Sequence, residues 1–167
     1  MHPYETNYMT LEYEQFVQQL TRLAESRELY KKLPLLRHDL VHSPCCLHLT
    51  VPNSPRNTGG HIELLITFSR VYREPLLLIR VWATTALDGI ETSQLAHSAE
   101  TMATLRIPSY LTLGLDTILD AQYPHALQGA WYSVHPCDTR DIVGDDVTVR
   151  DTYLDRWVSV FLLRVCR

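Results

Sequence analysis

The sequence predicts an α+β domain, an antiparallel β-meander with helices packed against it. Three observations carry this expectation. Amphipathic helical stripes stand near both ends of the chain, strand-like runs fill the middle, and the connections between those runs are short and rich in turn formers. The 167 residues fit one domain, and residues 1–167 read as that single unit. A chain of this length buries about 70% of its unfolded surface, so it needs neither disulfide nor metal as a staple.

The first helix is expected from about Leu11 to Tyr30. Tyr13, Phe16, Val17, Leu20, Leu23 and Ala24 recur at three- and four-residue spacing, with Glu12, Glu14, Gln18, Gln19, Arg22 and Glu25 opposite them. Thr10 is the expected N-cap, Glu12 and Glu14 suit the positive end of the helix dipole, and Pro34 closes the region. Cys45 to Val51 reads as a strand, with Cys45, Leu47, Leu49 and Val51 on one face and Cys46, His48 and Thr50 on the other. Pro52 to Gly60 is turn-forming. Strands follow over about His61–Val71 and Leu76–Thr84, joined as a hairpin through Arg73-Glu74-Pro75. Leu76 to Ile79 is apolar on both faces, which predicts cover on both sides.

Asp88 to about Pro108 is polar and rich in small residues, and reads as an irregular excursion with a short helix. Leu111 to Leu119 is expected to be extended. Ala130 to Val134 reads as a strand ending at His135-Pro136-Cys137. The second helix begins near Thr148 or Asp151, with Leu154, Trp157, Val158, Phe161, Leu162 and Val165 as its stripe. The expected sheet has about four to six strands.

Composition excludes several classes. With 46% hydrophobic and 20% charged residues the chain is too apolar for disorder. A net charge of −4 lacks the basic field that nucleic acid or an anionic membrane would need. No apolar run approaches the roughly 18 residues of a membrane-spanning helix, so no membrane insertion is expected. Met1-His2-Pro3-Tyr4-Glu5 lacks the pattern of a signal peptide, so Cys45, Cys46, Cys137 and Cys166 are expected to be reduced thiols.

Cys137 ends an apolar strand beside the turn formers His135 and Pro136. A thiol at a strand end is accessible, as a nucleophile must be, although cysteine is also among the most commonly buried residues. The segment Trp131-Tyr132-Ser133-Val134-His135-Pro136-Cys137-Asp138-Thr139 resembles the active-site segment of the autophagy E2-like conjugating enzymes, whose catalytic cysteine lies in a His-Pro-Cys tripeptide. Three other stretches fit the same family: His61-Ile62-Glu63-Leu64 running into Ser69 to Trp82, Leu113 to Ile118, and Tyr153 to Phe161. Together they span most of the chain from residue 61 onward. The long insertions of a larger family member are absent, which places the chain with the family's smaller enzyme.

The resemblance implies an E2-like (ubiquitin-conjugating enzyme) fold and transthiolation followed by aminolysis. Cys137 would take a ubiquitin-like modifier, autophagy-related protein twelve, from the E1-like autophagy-related protein seven. A lysine of autophagy-related protein five would then attack the thioester to give an isopeptide bond. No metal, nucleotide or organic cofactor is implied, because the E1-like partner performs the ATP-dependent step. The same resemblance implies a cytoplasmic monomer recruited to sites of autophagosome formation.

Ubiquitin E2 enzymes generally carry an asparagine upstream of the cysteine as the oxyanion donor, and aminolysis needs such a donor. The three asparagines here, Asn7, Asn53 and Asn57, all lie far from Cys137. His135 is the first substitute, because positions 135 and 137 share a face in an extended stretch; the alternative is a loop-fixing histidine. The family places a tyrosine near the cysteine from the position of Tyr72, whose hydroxyl would orient the incoming lysine or donate to the oxyanion; the alternative is an ordinary hairpin aromatic. Pro136 stiffens the approach, and Asp138 and Thr139 flank and shape the loop, with Asp141 nearby. The basic residues include only Lys31 and Lys32 as lysines, which suits an enzyme that carries an activated thioester but equally fits drift from lysine to arginine.

Three rival readings follow from the same residues. His42, Cys45, Cys46 and His48 crowd together as zinc ligands would, but without the spacing of a structural site. Cys137 with a histidine suggests a cysteine hydrolase, although its place at a strand end does not suit one. The third is a non-catalytic E2-like binding module that docks partners through its sheet, with His61–Val71 as a docking strand.

Overall fold

The computed structural model describes residues 11–53, 60–96, 113–135, 143, 151–163 and 166. Seven strands form one antiparallel sheet in the order β1-β2-β3-β4-β7-β6, with β5 paired to β4 beyond this path. They are β1 (Arg37–His42), β2 (Cys45–Pro52), β3 (His61–Ser69), β4 (Glu74–Leu87), β5 (Ile90–Leu95), β6 (Leu113–Ile118) and β7 (Gly129–Val134). Helices α1 (Tyr13–Ser26), α2 (Glu28–Lys32) and α3 (Tyr153–Trp157), the last continuing as a π-helical turn over Val158–Leu162, cover one face.

The predicted α+β meander is present, and several elements differ in detail. The first helix breaks at Arg27, which adopts the left-handed region at φ 54° and separates α1 from α2. Its cap is Glu12, in a capping box with Gln15, instead of Thr10, which lies outside the described residues. The β3–β4 hairpin turns at residues 70–73, so Glu74 and Pro75 belong to β4 and Val71 to the turn. Strand β1 was not foreseen. Part of the expected excursion after Asp88 is strand β5, returning along β4 through Asp88-Gly89, both at positive φ. These two strands raise the count above the expected four to six. The second helix begins at Tyr153; Val165 of its expected stripe lies outside the described residues.

The strand faces divide as the alternation requires. Cys45, Leu47, Leu49 and Val51 of β2 join Leu64 and Ile66 of β3 and Leu77, Ile79 and Val81 of β4 beneath the helices. Phe16, Leu20, Leu23, Trp157 and Phe161 pack onto them; each such large side chain contributes about 1.5–3 kcal/mol on burial. The opposite face has its own small core of Cys46, Leu65, Leu78, Ile118, Leu127 and Trp131. Gln19 ties the helices together by accepting the Leu154 N–H at 2.9 Å. Arg22 adds an ion pair to Asp155 at 3.8 Å and donates to the Asp151 carbonyl.

Candidate active site

The β3–β4 turn carries Tyr72, and its shape follows from local bonds. The Tyr72 N–H donates to Ser69 Oγ at 3.3 Å, and Arg73 closes the turn at φ 54°. A non-glycine residue there costs on the order of 1 kcal/mol, and contacts to the start of α1 offset it. The Leu11 N–H donates to the Arg73 carbonyl at 3.1 Å, and the Arg73 guanidinium pairs with the Glu12 carboxylate. Arg70 lies over the Tyr13 ring, 4.9 Å from its centroid, a cation–π contact. Tyr13 and Phe16 pack in turn on Phe68 of β3. The turn is therefore clamped to the helix beside it.

Strand β7 delivers the other half of the site. It pairs along its length with β6 but with β4 through just Leu78↔Ser133 and Ile79↔Tyr132, and side-chain bonds reinforce this short ladder. Arg80 supplies them. Its Nε donates to the Ala130 carbonyl at 3.0 Å, Nη1 to Ala126 at 3.0 Å, and Nη2 to Leu127 at 3.3 Å and to Gln128. The guanidinium sits 3.8 Å from the Trp131 ring centroid, and Trp131 Nε1 donates to Leu127 at 2.8 Å. Gly129, at φ 100°, passes so close that a Cβ there would lie 3.4 Å from Arg80 Nη2.

Beneath this clamp lies a buried polar group that connects β2, β3 and β4. Glu63 Oε1 is 2.9 Å from His48 Nε2, and Oε2 accepts from Trp82 Nε1 at 2.6 Å with Arg80 Nη1 at 3.7 Å. Burial pulls the Glu63 carboxyl up, but the hydrogen bonds from His48 and Trp82 and the charges of His48 and Arg80 outweigh it and hold the group below its ordinary value. Burial lowers the Arg80 guanidinium, with Glu63 opposing. Sequence reading missed this group. The signal it leaves in the sequence is a charged or polar residue set among apolar ones in each of three strands: Glu63 pairs with Thr50 and with Arg80, and His48 lies two positions from Thr50 along β2.

The two halves meet at Tyr72 and His135. Their rings touch edge to face, centroids 5.8 Å apart with planes at 63°. Tyr72 is 46% exposed and His135 is half-buried, so a phenol and an imidazole stand together at the surface. Pro136, Cys137, Asp138, Thr139 and Asp141 lie outside the described residues. The other cysteines are poor nucleophiles. Burial pushes the Cys46 and Cys166 thiols up to about 12, with Cys45 adding to the effect on Cys46, and burial raises Cys45 itself.

The residues of the rival zinc site are not gathered together among the described residues. His48 is engaged by Glu63, Cys45 and Cys46 face opposite cores, and no group of three metal-ligating side chains is present. The expected docking strand is interior: β3 pairs along both edges, with β2 and β4, and its sides are buried. His61 and Trp82 face each other across the β3–β4 hairpin, their rings stacked at 5.8 Å.

The chain is similar in sequence and fold to known proteins. A family model described as autophagocytosis associated protein, active-site domain, matches residues 15–165. A ubiquitin-like-conjugating enzyme ATG10 from Candida glabrata is 99% identical over 159 residues, 95% of this chain and 100% of the relative. The Saccharomyces cerevisiae protein of the same name is 38% identical over 144 residues, 86% of this chain and 72% of the relative. Among solved structures, the crystal structure of the autophagic E2 Atg10 superposes with a TM-score of 0.72 at 31% identity, covering 95% of this chain and 98% of that one. The solution structure of KmAtg10 superposes at 0.66 with 23% identity, covering 95% and 100%, and speaks for the fold.

Proposed function

The chain belongs to the family of autophagocytosis-associated active-site domains and is an E2-like conjugating enzyme of autophagy, and on that premise we propose that Cys137 is its acyl-carrying nucleophile. Such an enzyme receives a ubiquitin-like modifier from an E1-like activating enzyme and passes it on. In this reading the modifier is autophagy-related protein twelve, delivered by autophagy-related protein seven, and the acceptor is a lysine of autophagy-related protein five.

The Cys137 thiolate attacks the carbonyl of the E1 thioester, a new C–S bond forms, and the E1 thiolate leaves. The acceptor amine then attacks the Cys137 thioester, the C–N bond replaces the C–S bond as the thiolate departs, and the proton the nitrogen loses passes to solvent or to the thiolate. His135 donates to the oxyanion of that second step, and Tyr72 orients the amine with its hydroxyl. Pro136 stiffens the approach, while Asp138 and Thr139 shape the loop. The observation that carries the reading is the contact between Tyr72 and His135. It joins two segments far apart in sequence at a point two residues before Cys137, and two residues span at most about 7 Å of chain.

The test is a loading reaction with E1-like enzyme, modifier and ATP, resolved on non-reducing gels. A reductant-sensitive adduct that disappears in Cys137→Ala supports the proposal. No adduct with a demonstrably active E1 overturns it in favour of a partner-docking module.

A further inference from the structure

The chain carries an uneven set of cations. Thirteen of its fifteen basic residues are arginine, and the two lysines, Lys31 and Lys32, are adjacent on α2. Two structural tethers fix where α2 lies. The start of α1 is held at the Tyr72 turn by the bond from the Leu11 N–H to the Arg73 carbonyl and by the Glu12–Arg73 pair. From there α1 runs 14 residues before α2 begins, about 21 Å at 1.5 Å per residue. On the other side of α2, the Leu36 N–H donates to the Thr50 carbonyl at 2.7 Å. Thr50 pairs with Glu63 and Glu63 with Arg80, six residues along the strands from the Ser69↔Glu74 pair that closes the turn, about 20 Å at 3.3 Å per residue. Both routes put the lysines at the opposite end of the sheet from Tyr72 and His135. Lys31 is held further by Glu28 Oε1 at 2.7 Å.

The turn itself is cationic. Arg70 and Arg73 flank Val71 and Tyr72, so the segment that forms the site carries two positive charges and no amine. A guanidinium stays protonated at any working pH and offers no lone pair to a carbonyl, whereas a lysine amine does.

We propose that this distribution is a specificity device: Arg70 and Arg73 supply the charge and contacts of the turn without an acceptor amine, and the only lysines are placed out of reach, so the loaded enzyme does not transfer its modifier to itself. The inference rests on the thioester reading of Cys137. The reaction prevented is ordinary aminolysis. A lysine Nζ lone pair would attack the thioester carbonyl, the C–N bond would form, the C–S bond would break, and the thiolate would leave as the amine gave up a proton.

Substitution with lysine at single positions tests it. Arg70→Lys, Arg73→Lys and Val71→Lys bring an amine to the turn; Val71 is 86% exposed, so its replacement disturbs no packing. Arg37→Lys, on the edge strand at the far end, is the control. Each protein is loaded with E1-like enzyme, modifier and ATP, the ATP is removed, and the thioester is followed without acceptor. An amine tethered beside the thioester acts at an effective concentration on the order of millimolar. At least one turn lysine is therefore expected to shorten the thioester lifetime about tenfold or more and to give a reductant-resistant self-adduct at the new lysine, at a rate independent of enzyme concentration. Wild type and Arg37→Lys are expected to give none. The inference is overturned if all three turn lysines load and keep their thioester as long as wild type, or if wild type modifies Lys31 or Lys32 at a concentration-independent rate. Failure of wild type to load at all is a different result, because it removes the thioester reading itself.

Discussion

The Tyr72 ring meets the His135 ring edge-on, with 5.8 Å between centroids, and this contact links the β3–β4 turn to the end of β7. Each partner is held from behind by a different device, the turn by α1 and the strand by Arg80. An edge contact between such rings is worth about 0.5–1.5 kcal/mol beyond its area. Tyr72→Ala and His135→Ala are each expected to slow discharge to the acceptor while leaving loading near wild type. The double variant is expected to fall short of the product of the single effects by about 2- to 10-fold. A double-mutant cycle on single-turnover discharge measures this, and purely multiplicative effects would show that the contact does nothing in transfer.

Arg80 is expected to matter for stability and activity together. Arg80→Met leaves four carbonyls and Glu63 without their cation, and removing one partner of a buried ionic group costs about 3–5 kcal/mol. Arg80→Lys is not expected to rescue it, because one ammonium cannot meet a fork of carbonyls. Urea midpoints read the stability, and discharge under native conditions reads the loosening of β7. A midpoint within experimental error of wild type would refute the clamp.

Much of this was legible beforehand, and the omissions have a physical cause. The stripe Phe16-Leu20-Leu23 and the alternation Cys45-Leu47-Leu49-Val51 located their elements because one face of each is buried. Strands β1 and β5 gave no such signal. No residue of Arg37–His42 or Ile90–Leu95 is fully buried, and both segments are made chiefly by backbone pairing to β2 and β4. The break at Arg27 was hidden by a continuous apolar stripe on both sides of it. At the site, family resemblance pointed to His135 and Tyr72 singly. Their mutual contact depends on register and turn geometry, which no local spacing encodes.

Stability is expected to fall with acid in two windows. The Glu63 carboxyl is held below its ordinary 4.5, so the folded form binds that proton less readily than the unfolded chain. Its contribution is complete above about pH 4.5 and is lost as pH drops through the lowered folded value. Burial lowers His61 from 6.5, against the raising influence of Glu63, so the unfolded state is protonated first and stability declines below about pH 6.5. Glu63→Gln is expected to abolish the lower window. Denaturation midpoints across a pH series check this, and an unchanged acid slope in Glu63→Gln would count against it.

Alkylation is expected to distinguish the cysteines. With thiols near 12, Cys46 and Cys166 hold a negligible thiolate fraction at neutral pH, and Cys45 is buried and raised as well. A limiting dose of iodoacetamide should modify Cys137 first, as read by peptide mapping. First modification at Cys166 would contradict the assignment of the reactive thiol.

Gly60 is expected to tolerate no side chain. A Cβ there would lie 2.7 Å from the Trp82 carbonyl oxygen, a backbone atom that cannot swing away. Gly60→Ala should cost about 1–3 kcal/mol and disturb the His61–Trp82 stack, measured by thermal unfolding and tryptophan fluorescence.

If Cys137 carries the modifier, the bond to it can be placed by mass. Cys137→Ser is incubated with E1-like enzyme, modifier and ATP, and the product is analysed intact and after digestion. A reductant-stable oxyester of one modifier per chain, mapped to position 137, is expected, with Cys137→Ala giving none. An adduct that persists in Cys137→Ala, or that maps to Cys45, Cys46 or Cys166, would contradict it.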